Sequence, residues 1–502
     1  MAQIIASVLA RTRAQVVRDA RRAAMLGADW VELRLDTWQA ADDLEGVIAA
    51  IGLPVLVACR TPEDGGAYRG TLTARRELLT HALRSGAQGI DLEQWETWTP
   101  PAGHTGLKLR IRSFHSFTGV PKELGRIRDE LSTPGTVVKL VVTAHDLADA
   151  APVLELLRRT DQDEQPTTAF AMGRTAWPTR VMAAAMGAPF VYGALDAREV
   201  VVPDQPTVAM LAGIYRVQRL GPATRWFGLL GNPALQSLGP WLHNRAFRRL
   251  GLDAVYLPLE TSRPEAVIGM LPADRVGGFS VTAPFKERML DACVHTSDEA
   301  SAVGVVNTMV PADGGGFVGY NTDVLGVRDA LTQAGAVAAD GDPAVVLGAG
   351  GAARAAAFAL RQLGYQVTML GRSLDAARSF ADVHGIKLGS LSENVLKQLR
   401  PKVLVQATPV GSQGRDGDER LLPDYVPGDD VIVHDLVYRP TWTRLLRDCA
   451  AAGARAVPGV EMFLAQARAQ VRLFCGEDLP AAVLRGYLAG SAVAATDGPP
   501  VT

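Results

Sequence analysis

The chain has 502 residues, which at about 100 to 200 residues per domain calls for at least two cores, an α/β barrel being able to take some 200 as one unit. Its 51 Lys and Arg against 53 Asp and Glu leave a net charge of −2, with 48% hydrophobic and 21% charged residues, the balance of an ordinary globular protein. No basic stripe or like-charge run offers a footprint to nucleic acid or to a membrane surface, so small molecules are the expected partners.

The four cysteines, Cys59, Cys293, Cys449 and Cys475, are far apart in sequence, with no CxxC pair and no repeated Cys/His spacing. No metal site is expected, and a reduced compartment fits. The opening MAQIIASVLARTRAQVVRDA has a short apolar part interrupted by Arg11, Arg13 and Arg18, and no run of about 18 apolar residues follows. A cytoplasmic protein is the expectation.

The first 200 residues alternate short β-branched or apolar runs with stretches of helical periodicity. Eight runs read as strands: QIIASVLA from Gln3, DWVELRLD from Asp29, PVLVACR from Pro54, GIDLEQW from Gly89, LKLRIRSF from Leu107, TVVKLVV from Thr136, TTAFAMG from Thr167 and PFVYGAL from Pro189. Eight βα units imply a closed (β/α)8 barrel, whose reacting groups lie toward the carboxyl ends of the strands. RLGPAT, with Gly221 and Pro222, breaks the rhythm, and a new strand begins near Trp226. An α/β stretch then runs to about residue 328, followed by a strand, glycine turn and helix in AVVLGAGGAARAAAFALRQLG, further β/α units to about 459, and a helical end from Val460. The small, polar tail SAVAATDGPPVT is expected to be mobile.

Lys139 lies inside VVKLVV, where burial is costly for an ammonium unless it is paired or neutral. The ordinary alternative is a lysine whose tip reaches solvent at a strand end; the chemical one is a desolvated amine that condenses with a carbonyl. His115 closes the preceding strand at the same rim, where an imidazole suits general acid/base work. Glu32 and Arg34 alternate with Val31, Leu33 and Leu35, so both point to one side of an inner strand and are expected to pair with each other or with a ligand. Arg60 and Asp64 follow the third strand and Arg180 the seventh, adding charge for an anionic, hydroxylated ligand.

Across about residues 1–218 these pieces resemble the type I 3-dehydroquinate dehydratases: ELRLD, RTPEDGG, the strand-end His115, Lys139, Arg180 and PDQ ending at Gln205. The resemblance implies a barrel in which Lys139 forms an imine with the 3-keto group of 3-dehydroquinate and His115 shuttles protons for loss of water. It further implies that Glu32, Arg34, Arg60, Arg180 and Gln205 bind substrate and that Asp64 orients the histidine. Asp64 stands where the family usually has Glu, and Val201 where a substrate-contacting Ser is usual.

In the second half VVLGAGGAARA is a strand, a glycine turn and a helix start, the geometry that holds a pyrophosphate. The next strand, YQVTML, ends about 20 residues on at Gly371, Arg372 and Ser373, where an NAD site would carry an acid; Arg372 suits a 2′-phosphate instead. Lys286 in SVTAPFKERM and Asp323 in GYNTDVLG lie in loop-rich segments with Thr282, Asn307 and Asn321, a set that suits a polyol substrate and a proton transfer beside a hydride transfer.

From about Trp226 to Gly490 the chain resembles the shikimate dehydrogenases, through GNPALQSLGPWLHNRAF, GGFSVTAPFK, GVVNT, GYNTD, GAGGAARA, GRS, ATPVG, DLVYRPTWTRLL and GVEMFLAQA in the family's order. This implies that Lys286 and Asp323 are the catalytic pair, that Ser237, Thr282, Asn307, Tyr438 and Gln466 contact substrate, and that Gly348, Gly350, Gly351, Ala352, Arg372 and Ser373 hold NADP. Departures are Gly239, Ser280 and Gly371, standing where the family usually has Ser, Asn and Asn.

Together the resemblances imply a barrel at 1–218, a substrate-binding domain at 225–328 completed by 460–490, and a Rossmann-like NADP domain at 329–459. The two activities, a lyase and an oxidoreductase, would act on consecutive intermediates of the shikimate pathway, the second reducing 3-dehydroshikimate to shikimate. Two rivals stand beside this reading: a quinate dehydrogenase in the second half, suggested by Gly239, and a metabolite sensor that reuses both folds without catalysis. Neither oligomeric state nor transfer of intermediate between sites is legible.

Overall fold

The structure, a computed structural model, describes residues 1–38, 43–100, 106–160, 165–196, 204–413 and 419–488. Val201, residues 489–490 of the helical end and the tail from Ser491 lie outside the described residues. The chain divides into two compact units, residues 1–226 with 251–276, and 227–250 with 277–502.

The first unit contains eight parallel strands: β1 (Gln3–Leu9), β2 (Trp30–Arg34), β3 (Val55–Ala58), β4 (Gly89–Glu93), β5 (Leu109–His115), β6 (Val137–Thr143), β7 (Thr167–Met172) and β8 (Phe190–Gly193). They pair in the order β7-β6-β5-β4-β3-β2-β1-β8, and the Thr168 hydroxyl donates to the Phe190 carbonyl across the seam between the two end strands. All eight runs read as strands are strands. The two-residue alternation of each strand sorts the barrel interior into layers. Ile5, Trp30, Leu56, Ile111 and Phe190 share one apolar cluster. Two residues further along the same strands come Ser7, Glu32, Ser113 and Tyr192, and Lys139 stands opposite Ser113 and Thr168 in register. The polar layer therefore sits toward the carboxyl ends, above an apolar floor.

The second unit carries two sheets. One contains β9 (Arg225–Gly231), β11 (Val276–Val281), β12 (His295–Thr296), β13 (Thr308–Pro311) and β14 (Phe317–Tyr320), while β10 (Ala254–Glu260) falls in the first unit by its contacts. The other is a six-stranded parallel sheet of β15 (Pro343–Leu347), β16 (Gln366–Gly371), β17 (Lys387–Ser390), β18 (Val403–Gln406), β19 (Ile432–Asp435) and β20 (Arg455–Val457). Its order is β17-β16-β15-β18-β19-β20, so the direction of winding reverses between β15 and β18, the place where such sheets bind ligands. Apolar clusters cover this sheet on both faces, with Ala355, Ala359 and Leu360 in one and Leu445, Leu446 and Cys449 in the other. Among the described residues no helix is long and apolar enough to cross a membrane.

Candidate active sites

A cleft open to solvent, with about 470 Å3 of empty space, lies among the carboxyl ends of the barrel strands, lined by Glu32, Arg60, His115, Lys139, Arg180 and Gln205 among others. Lys139 is 3% exposed, which rules out a tip in solvent. Its Nζ lies 2.8 Å from Asp91 Oδ2, 3.9 Å from Glu32 Oε1 and 4.0 Å from the centre of the Tyr192 ring. Burial pushes the amine below its ordinary value and Arg60 acts in the same direction, while Asp91 and Glu32 resist. Burial opposes the charge on Asp91, but Lys139 and Arg60 hold it ionised. The arrangement keeps a lysine in place while making its proton easier to lose.

His115 faces Arg60 Nη1. A guanidinium is a donor only, so the ring nitrogen it meets is an acceptor and the imidazole is neutral. Burial, then the charges of Arg60, Lys139 and Arg34, push the His115 pKa well below its ordinary value, leaving a free base at neutral pH. Phe117 stacks at 6.2 Å over the ring. Gly65 makes room for it: its φ of +74° is left-handed, and a Cβ there would come within 2.7 Å of the Phe117 ring.

Of the two alternatives for Glu32 and Arg34 the structure removes mutual pairing and leaves the ligand, both residues lining the cavity, and it corrects the role expected of Asp64. Arg34 does not pair with Glu32; its guanidinium is gripped from both oxygens of Asp36 at 2.8 and 3.0 Å, and Glu32 instead lies 3.5 Å from Arg60. Asp64 lines the cavity, but its Oδ2 accepts from Trp95 Nε1 at 2.7 Å and Thr61 Oγ1 at 3.1 Å. Its side chain is shorter than the usual Glu, and Arg60 rather than Asp64 is what meets the histidine.

Arg180 is 2% exposed and has no carboxylate partner among the described residues; it lies 4.4 Å from the Phe170 ring centre and 3.4 Å from the Ala171 carbonyl. Burial alone pulls its pKa down to about 9. A buried cation with nothing to neutralise it is a binding point for an anion. Gln205 is buried beside the same cavity, its Oε1 without a hydrogen-bond partner among the described residues.

In the second unit Asn321 caps the helix Thr322–Gln333, accepting from the Asp323 and Val324 backbone, which places Asp323 in the first turn. Lys286 Nζ donates to Asp323 Oδ2 at 2.5 Å, and Asn307 Nδ2 donates to Asp323 Oδ1 at 2.8 Å and reaches Gln466 Oε1 at 3.4 Å. Tyr438 is hydrogen-bonded to Ser237 and stacks at 5.1 Å on Phe463, one helical turn before Gln466 on the helix Gly459–Cys475. Thr282 is held by its backbone on Leu230. Among the described residues the buried Ser280 hydroxyl near Thr282 has no hydrogen-bond partner.

The glycine turn leaves β15 at the winding reversal. Gly348, with φ of +123°, donates to the Leu370 carbonyl, which sets Gly371, Arg372 and Ser373 beside the turn. Gly350 is the N-cap of the helix Gly351–Gln362 with open space where a Cβ would stand, and Gly351 and Ala352 begin that helix. A Cβ at Gly351 would lie 3.5 Å from Lys286 Cδ, so whatever the turn holds is adjacent to the lysine. A free helix N-terminus, an open cradle and an exposed arginine at the next strand end fit a phosphorylated dinucleotide.

Sequence reasoning missed Asp91, Asp36, Tyr192, Phe117 and Ser7, all at the barrel mouth. Asp91 was detectable: it stands in the strand GIDLE as Lys139 stands in VVKLVV. Phe117 and Tyr192 carry no such signal, because an aromatic residue at a strand end is ordinary core composition.

The family model for type I 3-dehydroquinase matches residues 4–222, and that for the shikimate dehydrogenase substrate binding domain matches residues 229–309. A chloroplastic bifunctional 3-dehydroquinate dehydratase/shikimate dehydrogenase of Arabidopsis thaliana is 32% identical over 95% of this chain and 82% of its own. A shikimate dehydrogenase (NADP(+)) of Halobacterium salinarum is 42% identical over 52% of this chain and 97% of its own. A solved shikimate dehydrogenase of Aquifex aeolicus, 29% identical, covers 53% of this chain and 98% of its own with a TM-score of 0.49. On the near full-length match to the plant enzyme, the chain belongs to the family of bifunctional 3-dehydroquinate dehydratase/shikimate dehydrogenases.

Proposed function

We propose that the chain dehydrates 3-dehydroquinate to 3-dehydroshikimate in its barrel and reduces that product to shikimate with NADPH in its second half. We assign 1–218 to the dehydratase, 225–328 with 460–490 to the substrate-binding part of the dehydrogenase, and 329–459 to NADP. The observation that carries the reading is the buried Lys139 with a depressed pKa, held on Asp91 at the same rim as a neutral His115.

In the barrel, the Lys139 amine adds to the 3-keto carbon and water leaves as the imine forms. His115 takes a proton from the carbon next to the imine and, protonated, gives it to the departing hydroxyl. Hydrolysis of the imine returns Lys139 and releases product. Arg180 takes the substrate carboxylate, and Glu32, Arg34, Arg60 and Gln205 hold its hydroxyls. Asp91 is added to this set, neutralising the positive charge that stays at the Lys139 nitrogen. Asp64 stands at the rim and does not orient the histidine.

In the second half NADPH, when bound, supplies the hydride. Gly348, Gly350, Gly351, Ala352, Arg372 and Ser373 hold it, with Arg372 toward the 2′-phosphate. Lys286 and Asp323 hold and deliver the proton that the new alcohol oxygen needs, and Ser237, Thr282, Asn307, Tyr438 and Gln466 orient the substrate. A cytoplasmic location suits the four free cysteines. A sensor without catalysis has no need of two such assembled lysine sites.

Supplying 3-dehydroquinate and NADPH to the full chain tests the reading: dehydration and cofactor oxidation should run in sequence. Lys139→Ala should stop both from 3-dehydroquinate yet still reduce added 3-dehydroshikimate. Reduction that proceeds from 3-dehydroquinate in that variant refutes the assignment.

A further inference from the structure

Behind the Lys286–Asp323 pair runs a buried chain of polar side chains that ends at His243. Asn307 Oδ1 accepts from the Thr322 backbone N–H at 2.8 Å and from Thr308 Oγ1 at 2.9 Å. Thr308 Oγ1 and Gln466 Oε1 accept from Gln470 Nε2 at 3.0 and 3.3 Å, and Gln470 Oε1 lies 3.2 Å from His243 Nε2. Gln470, Thr308 and His243 are all buried. Burial pulls His243 down to about 4, so the ring is neutral at pH 7.

The direction of every bond in this chain follows from one backbone group. The Thr322 N–H can only donate, so the Asn307 amide must present its oxygen to it and its Nδ2 to Asp323, to the Thr322 hydroxyl at 2.9 Å and, at 3.4 Å, to Gln466. Thr308 gives its hydroxyl hydrogen to the Asn307 oxygen, so Gln470 meets Thr308 with its nitrogen, and the Gln466 oxygen accepts from both amides. Gln470 then offers its own oxygen to His243, which carries its proton on Nε2. Turning the Gln466 amide over would set its N–H2 group against two donors, and unpaired buried donors are costly. Gln466 Nε2 makes no hydrogen bond among the described residues, while its oxygen is used twice.

We propose that Gln470 is a positioning residue that fixes the Gln466 carboxamide with its nitrogen toward the substrate, so that the site selects an acceptor oxygen at that point of the ring. The proposal rests on the dehydrogenase reading of the second half and goes beyond it by explaining which end of an amide the substrate meets. Helical spacing makes it feasible: Gln466 and Gln470 are four residues apart on the helix Gly459–Cys475 and share one face.

The test uses the full chain with shikimate and NADP. Gln470→Met keeps the length and removes both donors; Gln470→Glu keeps the shape and turns a donor into an acceptor. Both should raise the KM for shikimate about five- to tenfold, the worth of one hydrogen bond, with kcat and the KM for NADP little changed. In a Gln466→Ala background, Gln470→Met should add almost nothing, since contacting residues acting through one group are not additive. Parental KM in both Gln470 variants, or an effect of equal size in the Gln466→Ala background, overturns the proposal. Loss of NADP binding in both variants overturns it as well, because Gln470 would then support the fold and not the amide. An inactive parent chain would instead sink the dehydrogenase reading, and is told apart by that control.

Discussion

Replacing Arg180 with Met is expected to stabilise the ligand-free protein while destroying its affinity for substrate. Arg180 is buried with no carboxylate partner among the described residues, and burial pulls its pKa down to about 9. At about 1.4 kcal/mol per pH unit, keeping the charge there costs on the order of 5 kcal/mol, an upper bound for a guanidinium that stays protonated at pH 7. Against this stand a ring contact with Phe170 worth about 1 to 2 kcal/mol and a long hydrogen bond to Ala171 worth about 1 kcal/mol at most. Methionine fills much of the same volume without a charge, so a net gain of about 1 to 3 kcal/mol is expected, seen as a rise of about 2 to 4 °C per kcal/mol in the barrel transition. Calorimetry of the full chain measures it, the barrel transition being the one that a non-reacting cyclitol carboxylate shifts in the parent. The same variant should show a KM for 3-dehydroquinate raised at least about 30-fold, since truncating one partner of a buried charge pair costs about 2 to 5 kcal/mol. A lowered or unchanged transition temperature refutes the account of Arg180 as an unneutralised cation, and a parental KM refutes its role as the carboxylate site.

Borohydride added during turnover should leave a mass adduct on Lys139, and Lys139→Ala should carry none; an adduct on any other lysine removes the imine from this position. With Lys139 already joined to substrate, the kcat for dehydration should stay level as pH falls through 6.5 and drop only well below it. The reason is that His115 is lowered from its ordinary value and the base is lost only when pH passes beneath that lowered value; an acid limb centred at or above 6.5 contradicts the neutral, buried imidazole. Asp323→Asn or Lys286→Met should suppress hydride transfer by orders of magnitude with dehydration unchanged, because the two sites share no partner; a parallel loss of dehydration defeats that independence. NADP should be preferred over NAD in kcat/KM, and Arg372→Ala should erase most of the preference; an unaltered preference takes Arg372 out of the explanation.

The strands and the lysine were legible because each violates or obeys a local rule. A β-branched run needs no partner to announce a strand, and Lys139 inside one announces a cost that chemistry must explain. Pairings were not legible for the opposite reason. Glu32 and Arg34 share a face, but two residues along a strand separate them by about 6.6 Å, and the chain bends at once into the turn Leu35–Thr37, bringing Asp36 into a two-oxygen grip on the arginine. Asp64 is one methylene shorter than the acid it replaces, and no spacing rule reveals that Trp95, 31 residues on, takes its oxygen. Gln470 is less legible still, since its role arises only where the helix Gly239–Arg249, β13 and the helix Gly459–Cys475 meet.

The two candidate sites deploy burial in opposite ways, and each follows from the charge its reaction develops. Imine formation needs an amine that has lost its proton and an iminium that is then tolerated. The barrel supplies both by sinking Lys139 among Asp91, Glu32 and Arg60, where desolvation lowers the amine's pKa and the two carboxylates oppose it. Carbonyl reduction needs no buried cation in the resting state; it needs one proton delivered to one oxygen in a fixed direction. There the charged groups shrink to a single pair, Lys286 and Asp323, and neutral amides from Asn307, Gln466 and Gln470 fix its surroundings. Lys286 is also the more accessible lysine, its side chain 17% exposed against 3% for Lys139. Asp323 is nevertheless buried, 4% exposed, and screening by salt barely touches buried pairs, so with both substrates saturating, raising the ionic strength should leave the dehydration and reduction rates alike unmoved; a reduction rate that falls steeply with salt refutes the buried pairing.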